Sequence, residues 1–168
     1  MTLYPLSGFP PSPNGRPTAF LQAGHMIVSA KPLAVTTILG SCVSVCLIDI
    51  RAGIGGINHY LLPYTAPDGG AGARYGNTAI RQLVDEMSAA GASRARLVAS
   101  VFGGAMMLNT PPDRTRAPLG EQNADLAASL LQELGIAIEQ FDVGGDRGRK
   151  LIFHTDTGYA TAKPISSS

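Results

Sequence analysis

Apolar and polar positions alternate in short runs along most of the chain, and the period lengthens to that of a helix only twice. Residues 1–17 (MTLYPLSGFPPSPNGRP) carry no such pattern; they are Pro-rich and read as an irregular arm ahead of a single domain over 18–168. Strand-like runs follow: HMIVS (25–29), LAVTTIL (33–39) and VSVCLIDI (43–50). The third is β-branched and apolar on both faces, which marks a strand in the middle of a sheet. Arg51-Ala52-Gly53 turns the chain, and IGGINHYLLP (54–63) returns as a further strand. A loop rich in Gly and Ala spans 64–76. Asn77 then reads as a helix N-cap, with Ile80, Leu83, Val84 and Met87 at helical spacing and Gly91 as the stop. RLVASVFGGAMM (96–107) is a strand running into a Gly-Gly turn, and 109–119 is a Pro-rich loop. A second helix opens at Gly120-Glu121-Gln122-Asn123, with Leu126, Leu130, Leu131 and Leu134 on one face. IAIEQFDVGG, RKLIFHTDTG and YATAKPI supply the remaining strands. The order predicts a mixed sheet with two helices rather than a βαβ repeat.

Composition narrows the classes of function. Of 168 residues, 45% are hydrophobic and 15% charged, so the chain can bury a core and is not a disordered segment. Thirteen Lys and Arg against twelve Asp and Glu leave a net charge of +1, with no basic excess to neutralise a phosphate backbone. Trp is absent and aromatics are 6%, which argues against stacking platforms for bases. The first 20 residues lack the apolar stretch of a signal peptide, and no run reaches the roughly 18 apolar residues of a membrane helix. These features predict a soluble, cytoplasmic protein with reduced cysteines, binding no nucleic acid and inserted in no membrane.

The two cysteines, Cys42 and Cys46, are four residues apart. Along a strand that is roughly 13 Å, too far for a disulfide, and with no second ligand cluster they make a poor zinc site. Cys42 follows Gly40-Ser41 and begins a strand, a junction that can expose sulfur on a rigid backbone while turn N–H groups face a developing oxyanion. Taken alone it can equally be a small core residue. Cys46, among Val45, Leu47 and Ile48, reads as core. His59 stands on the return strand, 17 residues after Cys42. If the hairpin turn centres near 50–51, facing residues sum to 101 and Cys42 lies opposite His59. If it centres on 51–52 they sum to 103, and the two become diagonal neighbours on one face. A slip by one residue would separate them. Such a pair can make a thiolate and then protonate a leaving amine, provided a third group orients the ring. Thr36 can do so through its hydroxyl or its carbonyl, or can simply be a Thr favoured in strands. His25 and His154 read as structural. Asp142–Lys150 matches neither a phosphate-binding loop nor a dinucleotide fingerprint and reads as a tight turn, as does Gly103-Gly104.

LGSCVSVCLID (39–49) followed by GGINHYLLP (55–63) resembles the signature of the CheD chemoreceptor glutamine deamidases. The likeness continues through RYGNTAI (74–80), VFGGAMM (101–107), GEQNA (120–124) and GGDRGRK (144–150), in the same order over about residues 20–163. Gln122 departs from the Arg more usual there. The resemblance implies a layered α/β/α fold with a mixed, largely antiparallel sheet and two main helices, similar to the deamidase domain of cytotoxic necrotizing toxins. It implies a cofactor-free cysteine hydrolase converting selected receptor glutamines to glutamates, with nucleophile Cys42, base His59 and third residue Thr36. Its substrate would be chemoreceptor cytoplasmic helices, with glutamyl methyl esters as a related target; some family members also bind the CheC phosphatase. Two rivals stand beside this reading: a non-catalytic chemotaxis binding partner, and another thiol hydrolase such as a protease or transglutaminase-like enzyme.

Overall fold

The structure, a computed structural model, describes residues 14–65, 72–107 and 115–165. Most of the Pro-rich arm, and parts of the two loops expected over 64–76 and 109–119, lie outside these residues. Nine strands and two helices follow in the order β1 (Thr18–Phe20), β2 (Met26–Ser29), β3 (Ala34–Leu39), β4 (Val43–Asp49), β5 (Ile54–Asn58), α1 (Gly76–Ala89), β6 (Val98–Gly103), α2 (Leu119–Glu133), β7 (Ala137–Val143), β8 (Arg149–His154) and β9 (Ala160–Pro164). Four strands form one sheet, β1-β3-β8-β9, and five form a second, β2-β5-β4-β6-β7. Only β1–β3 and β6–β7 pair in parallel, so the sheets are largely antiparallel.

The mixed α/β class with two main helices is as the sequence predicts. Both helices cover one face of the five-stranded sheet, and the four-stranded sheet covers the other. β4 shows why. It is buried along its whole length, with Val43, Val45 and Leu47 packed among α1 and α2 and Cys46 among Val35, Leu39, Leu151 and Phe153 of the opposing sheet. Two apolar faces need two covers, and the second is a sheet.

Helix α1 begins one residue before the expected cap. Tyr75 is its N-cap and contributes no side-chain hydrogen bond. Asn77 lies inside the first turn, and its Oδ1 instead accepts from the Thr65 N–H and hydroxyl, each at 3.2 Å. Gly76 admits no side chain, since a Cβ there would sit 2.5 Å from Leu126 of α2 and 2.7 Å from Tyr60. This close approach locks α1 and α2 over the segment that follows β5.

Candidate active site

The β4–β5 hairpin sets the geometry. Cys46 faces Ile57, Leu47 faces Gly56 and Asp49 faces Ile54, a register that sums to 103. Beyond the ladder a bridge between Val43 and Tyr60 keeps the same register. Cys42 and His59 are therefore diagonal neighbours on one face, at about the 7–8 Å typical of such pairs, within reach of two side chains leaning together. Asp49 fixes the turn that sets this register. Its buried carboxylate accepts from the Ala52 N–H at 3.2 Å, the Ser93 N–H at 2.8 Å and the Arg96 guanidinium at 2.9 and 3.0 Å. Arg96 beside it, with the two backbone donors, holds its pKa down to about 2.

Cys42 lies half-buried one residue before β4. Gly103 and Gly104 press against it: the Gly104 N–H donates to the Cys42 carbonyl at 2.8 Å, and a Cβ on Gly103 would lie 2.2 Å from that same oxygen. Both glycines have positive φ, 112° and 67°, which an L side chain rarely adopts. The pair is the close-packed turn that the sequence suggests. Cys46 is fully enclosed, and burial alone pushes its thiol far above the ordinary range.

His59 is 4% exposed on the inter-sheet face, and its partner comes from the opposite sheet. Its Nδ1 lies 2.8 Å from the Thr37 hydroxyl, which also lies 2.7 Å from the Leu21 carbonyl. A hydroxyl has one proton, and a carbonyl can only accept it. Thr37 therefore donates to Leu21 and accepts from Nδ1–H, which leaves the lone pair of His59 on Nε2. The third residue expected from sequence, Thr36, stands elsewhere. In β3 Val35, Thr37 and Leu39 point inward and are fully buried, while Thr36 and Ile38 alternate outward. The Thr36 carbonyl accepts the Leu21 N–H at 2.8 Å, and its side chain makes no hydrogen bond among the described residues. Neither its hydroxyl nor its carbonyl orients the imidazole; Thr37 holds that place.

Both members of the pair are neutral in this resting state. Burial pushes the Cys42 thiol up, opposed in part by its own backbone N–H. Burial lowers His59 to about 4. A neutral imidazole with a bare Nε2 is able to accept a proton.

Helix α2 supplies one residue that sequence reasoning did not single out. Asn123 is fully buried, and its Nδ2 donates to the Ser41 and Leu61 carbonyls, each at 3.0 Å. Its own carbonyl accepts the Tyr60 hydroxyl at 2.6 Å. It thus clamps the segment before Cys42 to the segment after His59. Its position within GEQNA was the available signal. His25 is exposed, with its backbone carbonyl accepting the His59 N–H at 3.2 Å, and His154 is buried against the Tyr159 ring, 5.2 Å between centroids; neither imidazole is hydrogen-bonded to Cys42, His59 or Thr37. Among the described residues no three His, Cys, Asp or Glu side chains gather as metal ligands would.

A half-buried thiol and a buried imidazole thus share one face of a two-sheet α/β frame. Comparison with known proteins gives the family. Residues 61–164 match the family model described as CheD chemotactic sensory transduction. The chain is 47% identical over 161 residues to a probable chemoreceptor glutamine deamidase CheD 1 of Anaeromyxobacter dehalogenans, covering 96% of this chain and 92% of that protein. It is 45% identical over 139 residues to a probable chemoreceptor glutamine deamidase CheD of Trichlorobacter lovleyi, covering 83% and 85%. A third such protein, from Sulfurimonas denitrificans, is 38% identical over 149 residues, covering 89% and 95%. The chain belongs to the CheD family. The matched family span begins at residue 61, two residues after His59.

Proposed function

We propose that this protein is a cysteine-dependent deamidase that converts selected glutamine side chains of chemoreceptor cytoplasmic helices to glutamate. The observation that carries the reading is the Cys42–His59–Thr37 arrangement, found in a chain 38–47% identical to proteins named probable chemoreceptor glutamine deamidases. His59 Nε2 takes the Cys42 proton as sulfur attacks the carboxamide carbon. The oxyanion of the tetrahedral intermediate meets the Cys42 N–H, which no carbonyl takes among the described residues. The imidazolium, steadied through Nδ1–H by Thr37, returns its proton to the departing nitrogen. Ammonia leaves and a glutamyl thioester remains. His59 then removes a proton from water as it attacks the thioester, and Cys42 leaves with glutamate restored to the receptor. A glutamyl methyl ester has the same acyl centre and would follow the same path with methanol as the leaving group.

The setting suits a helical substrate. Ile38, Leu62, Met106 and Met107 are each 40–52% exposed on segments that flank Cys42 and His59. Among the described residues no helix is long and apolar enough to cross a membrane. The test is incubation with a receptor cytoplasmic fragment, with ammonia and peptide masses measured. Each converted site should gain about one dalton with no chain cleavage, by the acyl transfer above. Cys42→Ala should keep its melting temperature and lose turnover at least about 10³-fold. Cys46→Ala should retain most of the activity. Cleaved chains would give the site to a protease, and full activity in folded Cys42→Ala would end the mechanism.

A further inference from the structure

The amide of Asn123 sits where it can steer the catalytic peptide bond. The Ser41 carbonyl and the Cys42 N–H belong to one peptide unit. That unit is trans, like every peptide bond described, so the two groups lie in one plane and point in opposite directions within it. Asn123 Nδ2 holds the Ser41 carbonyl toward α2 at 3.0 Å. The Cys42 N–H therefore points away from α2, and no carbonyl takes it among the described residues. The same Nδ2 holds the Leu61 carbonyl, two residues past His59, also at 3.0 Å. We infer that Asn123 is a positioning residue: by fixing the Ser41–Cys42 peptide it aims the oxyanion donor. The inference rests on the deamidase reading above.

Two further observations support this assignment over a purely structural one. First, Asn123 Oδ1 is buried and has no hydrogen-bond partner among the described residues. A side chain chosen for stability alone would not leave half its amide unsatisfied in a closed interior, so what the position needs is the pair of N–H donors. Second, the helix is brought unusually close. A Cβ on Gly120 would lie 2.4 Å from the Gly104 carbonyl and 2.5 Å from that of Ala105. With glycine there, the first turn of α2 can seat directly on the loop that packs against Cys42. The Tyr60 hydroxyl, on the Asn123 carbonyl at 2.6 Å, secures the same turn without touching the peptide in question.

Transition-state donors and the thiol can be probed separately in the full chain. Alkylation by iodoacetamide occurs at a tetrahedral carbon, so it reports the thiol and its base but needs no oxyanion donor. Turnover of a receptor cytoplasmic fragment needs both. Asn123→Ala and the space-filling Asn123→Leu, which also removes the unpartnered oxygen, should each lower kcat at least tenfold, toward the roughly 10²–10³-fold cost of losing an oxyanion donor. KM and the rate of Cys42 alkylation at each pH should stay within about twofold of wild type. Tyr60→Phe should lower the melting temperature while leaving kcat within about threefold. A folded Asn123 variant with wild-type kcat would overturn the assignment. So would an alkylation rate that falls as far as kcat, or collapse of the fold in both variants, which would place Asn123 in the scaffold. Wild-type protein that releases no ammonia, or an active Cys42→Ala, would instead overturn the deamidase reading itself.

Discussion

The two ends of the β4–β5 hairpin are built to different standards. At the turn, polar groups are satisfied: Asp49 collects two backbone N–H groups and a guanidinium, and Gly53 donates to the Asp49 carbonyl at 3.0 Å with a φ of 67°. At the open end, satisfaction is incomplete. Ser44 Oγ and Asn58 Nδ2, beside His59, and Asn123 Oδ1 all lack partners among the described residues. Asn58 Oδ1 accepts the Val45 N–H at 2.8 Å, a side chain standing where a strand carbonyl would serve. Buried orphans of this kind each cost about 1–3 kcal/mol. The contrast shows a division of labour along one pair of strands. The turn contributes stability and register, and on the proposed reading the open end gives up stability to hold a thiol, an imidazole and an N–H in one place. The comparison breaks if changes at the open end act mainly on stability, or changes at the turn mainly on turnover.

The sharpest way to break it lies one residue apart on β3. Thr37→Val removes the hydroxyl that accepts Nδ1–H and keeps the shape. The imidazole then loses its preferred tautomer and its anchor, and kcat should fall roughly 10–100-fold with little change in KM. Thr36→Val should stay within about twofold, because the Thr36 side chain points away from His59. Steady-state ammonia release from both variants decides between them. The reverse pattern would restore Thr36 to the role implied by family resemblance and remove Thr37 from it.

That pair also shows what the sequence could and could not reveal. The period-two pattern of LAVTTIL, the doubly apolar VSVCLIDI and the 17-residue spacing of Cys42 and His59 were enough to place thiol and imidazole on one face in either of two registers. Choosing the register needed Asp49, whose role depends on Ser93 and Arg96 more than forty residues away. Alternation in β3 implied that either Thr36 or Thr37 faced inward, but not which, since that follows from how one sheet lies on the other. Asn123 was hidden for the same reason: its partners are 62 and 82 residues distant in sequence. The second sheet was illegible because a doubly apolar strand does not say whether helix or sheet covers its second face.

At the turn, Asp49→Ala should invert the profile of Thr37→Val. It removes the acceptor of the Ser93 and Ala52 N–H groups and of the Arg96 guanidinium and should cost roughly 3 kcal/mol, about 6–12 °C in melting temperature for a domain of this size. The kcat of the fraction still folded should remain within about twofold. Denaturant unfolding followed by circular dichroism, with turnover measured well below the transition, separates the two quantities. A large loss of kcat in fully folded Asp49→Ala would mean that the turn tunes the site directly.

The smallest effect concerns pH, and its sign follows from burial. His59 has an ordinary pKa of 6.5 when unfolded and about 4 in the folded protein, because burial disfavours its charged form. The folded state therefore binds fewer protons than the unfolded one between these values. Stability is full above 6.5, falls as pH drops toward 4, and is flat in this respect below. Between pH 6.5 and 5 the loss from His59 should be about 1–2 kcal/mol. Burial also lowers His154, the largest influence on it, which adds a slope of the same sign in the same region. Asp49, lowered to about 2 from 3.8, acts only further down, where its protonation weakens the turn. His59→Gln, compared with wild type in unfolding titrations at pH 7, 6 and 5, should thus flatten the profile in the upper window and leave the acid limb below 4 intact. His154→Gln should remove a separate part of the upper slope, and the two effects should add, since the residues share no partner. An unchanged slope in His59→Gln would show that the imidazole is protonated, or solvated, in the folded protein. The open end of the hairpin would then hold an acid rather than a waiting base.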